Sequence, residues 1–180
     1  MAAMDDPDAR LEAAEPAGEP LPQARERRKP ANPRAPYHQA LAPEHEDELL
    51  LSIGQGLALI ERDENDAPAA IVHAIAEHVD AVRAGKRKQP RDPSDAALAL
   101  ACLFAQQICR ELGWGWAHLR RTRAPGIVVI SPDFRRALGP RALVDAALES
   151  DGGGRLLEQY FERLRDEPAP AEPGLYARVR

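Results

Sequence analysis

Aromatic side chains are scarce, at 4% of the 180 residues, with two Trp, three Tyr and three Phe. A core must therefore be filled by aliphatic and alanine side chains, and a 44% hydrophobic share in a chain this long suffices for one domain. Cysteine is equally scarce: only Cys102 and Cys109 occur. They fall on one expected helix about 10 Å apart along its axis, too far for a disulfide. They read as buried free thiols in a reducing compartment. No Cys-x-x-Cys is present and neither cysteine has a histidine at zinc-ribbon spacing, which argues against a structural zinc. No apolar run approaches the ~20 residues that span a bilayer, and MAAMDDPDAR lacks the apolar segment of a signal peptide. A cytoplasmic protein without membrane contact is expected. Lysine is nearly absent as well: Lys29, Lys86 and Lys88 stand against 21 arginines. With abundant Ala, Pro and Gly, this points to a GC-rich bacterial coding sequence.

Net charge is −5, which weighs against nucleic-acid binding by the chain as a whole. The charge is segregated, however. From Arg83 to Arg141 there are 12 Arg/Lys and 4 Asp/Glu, and from Tyr37 to Val82 there is 1 basic residue against 10 acidic ones. Such separation steers a charged partner or draws two parts of a fold together.

Seven prolines interrupt residues 1–36, and large apolar side chains are few there. Burial would return little against the entropy of ordering, so a disordered tail is expected. A single domain is expected over 37–166, followed by a second Pro-rich tail over 167–180. The first helix opens at Pro43 with acidic residues behind it, which suit the positive end of the helix dipole. Its apolar face is Leu49, Leu50, Ile53, Leu57 and Ile60, and Gly54-Gln55-Gly56 marks a kink or the close approach of another helix. A second helix over 67–84 has Asp66 as N-cap and Gly85 as its stop. A third runs from Ser94, its expected cap, to Leu112. It is apolar nearly all round and so belongs at the centre of the fold.

The period then changes. Trp114, Trp116, His118 and Arg120 alternate with Gly115, Ala117 and Leu119, and Ile127 to Ile130 is a β-branched run; both read as strands. Ser131-Pro132-Asp133 is a turn, and a third short strand fits Phe134 to Leu138. Two helices follow, separated by Asp151-Gly152-Gly153-Gly154, which reads as a flexible break. The expected class is α+β: a helical N-terminal half packed on a small two- to three-stranded antiparallel sheet, then two short helices.

Leu112-Gly113-Trp114-Gly115-Trp116, Val129-Ile130-Ser131-Pro132-Asp133 and Gly139-Pro140 resemble a family of bacterial proteins of unknown function. These combine a helix, a Gly-Trp-x-Trp strand, a Ser-Pro-Asp turn and a Pro-led helix. The resemblance covers roughly a third of the chain, Leu100 to Leu148. It implies the α+β fold and no functional residue, since no activity attaches to the family.

Candidates for chemistry are few. His73 and His78 are five apart, about 140° round a helix, whereas zinc-binding helical pairs use a spacing of four; both read as surface or flank residues. Ser52, Ser94, Ser131 and Ser150 lack a nucleophile-elbow setting. The glycine pairs lack the Lys-Ser/Thr of a phosphate loop. The acidic clusters at helix ends read as solvated charge. No catalytic residue, metal or cofactor is expected, and the balance leans away from an enzyme. Trp114 and Trp116 read as core aromatics, or else as a stacking platform. Arg120, Arg121, Arg123, Arg135 and Arg136, with Arg141 beside them, read as a solvated edge or as a partner-binding basic patch. Two functions follow: a non-enzymatic protein-interaction or accessory domain binding through a charged face or by strand addition, or a nucleic-acid-binding module using an arginine-rich sheet face.

Overall fold

The computed structural model describes residues 21–25, 37–87, 92–120 and 126–166, and the backbone of 177–178. In chain order these form β1 (Tyr37–Gln39), α1 (Pro43–Ile60), α2 (Pro68–Arg83), α3 (Pro93–Leu112), β2 (Gly115–Arg120), β3 (Gly126–Ile130), β4 (Arg136–Leu138), α4 (Pro140–Glu149), α5 (Gly153–Asp166) and β5 (Ala177–Arg178). The class is α+β, as expected, but the sheet is larger. β1 to β4 pair antiparallel in chain order, and β5 joins β4 in parallel. β1 escaped the pattern because it is three residues long and carries His and Gln. Among the described residues no helix is long and apolar enough to cross a membrane.

α3 is the hub. Pro93 sits at its first position, where a missing N–H is harmless. Asp92, not Ser94, is the cap: its carboxylate accepts from the N–H groups of Ser94 (2.9 Å) and Asp95 (3.3 Å). Gly113 closes the helix in the left-handed conformation, with φ 66°. α2 likewise starts later than expected, with Ala67 rather than Asp66 at the N-cap position and no side-chain bond there. Twelve of the 20 residues of α3 are buried, including Leu100, Leu103, Phe104 and Ile108. That burial requires neighbours on most sides, which α1, α2, α4, α5 and the sheet supply.

The neighbours fit through specific contacts. A Cβ on Gly56 would lie 2.7 Å from the Ala99 carbonyl oxygen, so the glycine lets α1 close onto α3. Gly54, two residues earlier, faces open space. Phe161 of α5 meets Phe104 edge-on, with centroids 6.3 Å apart. Gly153 and Gly154 are not a flexible break: both are buried at the start of α5. Gly154 lies against the Ala76 carbonyl of α2 and donates its N–H to Asp80 Oδ1 at 3.0 Å.

Much of the basic surplus is spent inside the fold. Arg87 donates to the Leu59 carbonyl at the end of α1 (2.8 Å) and lies 3.9 Å from Glu61. Arg110 donates to the Asp66 carbonyl (3.0 Å), and Arg83 pairs with Asp151 (2.5 Å). Arg141 holds Asp145 on its own helix and both the carbonyl and hydroxyl of Ser94 on α3. Arg165 pairs with Glu111.

Candidate functional site

Of the arginines named from sequence, the three among the described residues do not share one exposed face. Arg136 is buried on β4, with its Nη1 donating to the Leu164 carbonyl in the last turn of α5 (3.3 Å); its role is to tie α5 to the sheet, and it is withdrawn from the surface. Arg135 is half-buried in the β3–β4 turn, 3.9 Å from Asp133. Arg120 is exposed at the far end of the β2–β3 hairpin, where β2 pairs with β1. Arg121 and Arg123 lie outside the described residues.

The turn that carries Arg135 is a tight hydrogen-bonded unit. Ser131 Oγ donates to Asp133 Oδ1 at 2.6 Å and accepts from the Arg136 N–H at 2.9 Å, while the Arg135 N–H donates to Asp133 Oδ1. Burial alone would raise the Asp133 pKa. The Ser131 hydroxyl, the Arg135 N–H and the Arg135 and Arg136 charges together hold it below the usual value. Phe134 adopts φ 58°, unusual for a bulky residue, and its ring lies 5.1 Å from His38 on β1.

Trp114 and Trp116 are core residues, both buried. Trp116 donates its indole N–H to Gln106 Oε1 of α3 at 3.0 Å, which docks the sheet on the hub. They are no stacking platform. His118, on the same face of β2 as Trp116, meets His45 of α1 edge-on at 6.1 Å. Burial, then the nearby Arg120 and His45, lower the His118 pKa. The surface reading fits His73, which is exposed and bonds Glu158 (2.6 Å), but fails for His78. His78 is buried and accepts from Arg87 Nη1 at its Nδ1 (2.9 Å). Both cysteines are buried free thiols, raised by burial, Cys102 to about 11. Among the described residues no three His, Cys, Asp or Glu side chains gather as a metal-binding group.

The feature that sequence reasoning missed is residues 21–25, within the stretch expected to be a tail; the rest of 1–36 lies outside the described residues. This short extended segment adds itself to the outer edge of β2 in parallel, with Gln23 opposite Trp116. The Trp116 N–H donates to the Pro22 carbonyl (2.7 Å), and the Ala24 N–H donates to the Trp116 carbonyl (2.9 Å). Leu21 is buried in the helix-side core, its N–H bonded to Glu46 Oε1 of α1 (3.0 Å). Gln23 Oε1 accepts from the Leu41 N–H (3.2 Å), and the Arg25 carbonyl accepts from His38 Nε2 (2.7 Å). Ala24 joins the small cluster on the opposite sheet face, with Ala117, Leu119, Val128, Ile130 and Ala137.

Gly115 makes this docking sterically feasible. The three atoms nearest a Cβ built there all belong to the segment: Ala24 N at 2.4 Å, Ala24 Cα at 2.6 Å and Gln23 C at 2.6 Å. Beyond Trp116, the same edge of β2 passes to β1, which pairs with residues 118–120. The energetic balance of docking is close. Hydrogen bonds contribute roughly 1 kcal/mol each and buried Leu21 about 2 kcal/mol. Ordering the segment costs about 1–2 kcal/mol per residue, so the sum falls within a few kcal/mol of zero. The signal that could have found the segment is Leu21, a large aliphatic in a Pro-rich stretch, read together with an unexplained glycine between two tryptophans.

No family model matches the chain, and no curated protein or solved structure matches it.

Proposed function

We propose that the chain is a non-enzymatic protein-interaction or accessory domain that engages its partner through the backbone of its sheet. The observation that supports this reading is the edge of β2 at Trp116. It is completed by a separate five-residue segment, through both backbone groups of Trp116 and one buried leucine. This is the chemistry of strand addition, in which main-chain bonds give affinity and a side-chain pocket gives selectivity. The helices pack against one face of the sheet, with Trp116, Val129 and Leu138 in the shared core, while residues 21–25 occupy the strand edge.

Quantitative affinity capture with the full-length chain from a bacterial host lysate tests the reading. A stoichiometric protein partner, held by the wild type and lost in Gly115→Ala, is the expected result. Absence of any stoichiometric partner contradicts it. The nucleic-acid alternative would rest on the arginines of the sheet, of which Arg120 is exposed at the end of β2. It predicts retention of single- or double-stranded nucleic acid on a filter at low salt, falling steeply as salt rises; such retention without a protein partner would replace the proposed function.

A further inference from the structure

Resting on that reading, we infer that residues 21–25 are a releasable ligand in cis, and that the groove they fill is the docking site for an extended segment of another protein carrying Leu at its first position and a small residue at its fourth. The cis occupant displays the chemistry the groove takes. Leu21 enters the core beside α1, and Glu46 accepts the N–H of that same residue. Trp116 offers one donor and one acceptor to the backbone that follows. At the fourth position Ala24 is buried in the small cluster with Ala117, Leu119 and Ala137, and its backbone lies against Gly115, where a residue with a Cβ would not fit.

The cis occupant is also imperfect. In a parallel ladder, the residue whose carbonyl bonds the Trp116 N–H also turns its own N–H toward β2. That residue is Pro22, which has no N–H to offer. A second copy of the chain carries the same proline and competes against a tethered segment at high effective concentration. A foreign segment with an ordinary residue there carries a backbone donor, turned toward β2, that the cis segment lacks. The near balance of gain and ordering cost derived above makes exchange accessible. The segment is thus a self-complementing strap, which keeps the edge of β2 from open pairing until a better-matched partner displaces it.

The test uses full-length wild type, Leu21→Asp and Gly115→Ala, with fluorescent peptides of residues 19–27 in native sequence and with Pro22→Val. Anisotropy is expected to show Leu21→Asp binding both peptides at least tenfold more tightly than wild type, because its groove is vacated but intact. The Pro22→Val peptide should bind more tightly than the native one, and Gly115→Ala should bind neither. Circular dichroism checks that the variants are folded. If Leu21→Asp fails to fold, wild type titrated with the Pro22→Val peptide decides: a shift of the Trp116 amide resonance supports displacement, and an unchanged resonance at saturating peptide overturns it. Leu21→Asp binding no better than wild type, or Gly115→Ala binding as well as Leu21→Asp, also overturns it. A stoichiometric partner captured without any peptide binding would sink this inference and leave the broader function standing. Peptide binding without a captured partner would do the reverse.

Discussion

Two glycines in α1 separate helix propensity from packing. Gly54 and Gly56 lie on the same helix, and in an isolated helix either would gain about 1 kcal/mol on replacement by alanine. The fold makes them opposites. A Cβ at position 54 meets nothing within 4 Å, so Gly54→Ala keeps the full gain. At position 56 it would sit 2.7 Å from the Ala99 carbonyl oxygen and 2.9 Å from Leu103 Cβ, on the hub helix. Over-packing of that kind costs about 1–3 kcal/mol, enough to cancel the propensity gain and exceed it. Urea denaturation should place Gly54→Ala above wild type by about 1 kcal/mol and Gly56→Ala below it by about 1 kcal/mol. Thermal midpoints should differ by roughly 6 °C between the two variants. Equal stabilisation by both substitutions would refute the close contact of α1 with α3.

The two thiols should resist a disulfide reagent in the native protein and release two equivalents in denaturant, because burial raises both and shields them; rapid native reaction would contradict their placement in α3. In an NMR titration His73 should titrate above its ordinary value of 6.5, held up first by the Glu158 hydrogen bond, and His78 below it, held down first by burial and then by Arg87. The linkage signs are opposite. The His73 contribution is complete below pH 6.5 and is lost as pH rises through its folded pKa, so His73→Gln should differ from wild type most at acidic pH. His78 stabilises the fold in its neutral form, so its contribution is present above pH 6.5 and is lost as pH falls. Asp80→Ala removes the acceptor for the Gly154 N–H and should cost about 1 kcal/mol, whereas Gly154→Ala collides with the Ala76 carbonyl and should cost about 2–3 kcal/mol; the reverse order would contradict the α2–α5 contact.

Where the sequence carries a dense periodic signal, the fold follows it. α3 is apolar on nearly every side and ends at a glycine, and it lies at the centre with Gly113 in the left-handed cap. The β-branched run 127–130 is β3, and the tryptophans, with so few other aromatics available, are core. The departures have local causes. Asp92 displaced Ser94 as cap because Pro93 fits the first helical position. Gly153 and Gly154 looked like a break because glycine marks both flexible turns and close helix contacts, and sequence alone does not say which. β1 and residues 21–25 are too short for any period to register, and each depends on a partner strand far along the chain. Arg136 left the expected patch because it points inward to a helix end, a tertiary contact with no local signature.

Leu21→Ala and Gly115→Ala, alone and together in the full-length chain, address the docked segment most directly. Each should release the same five residues by a different route, one by emptying the leucine site and the other by filling the space against Ala24. If docking is real, each single variant loses about 1–3 kcal/mol and the double variant loses no more than the larger of the two. Strict additivity of the two losses would mean that Leu21 and Gly115 do not serve one contact, and the account of the β2 edge would fall.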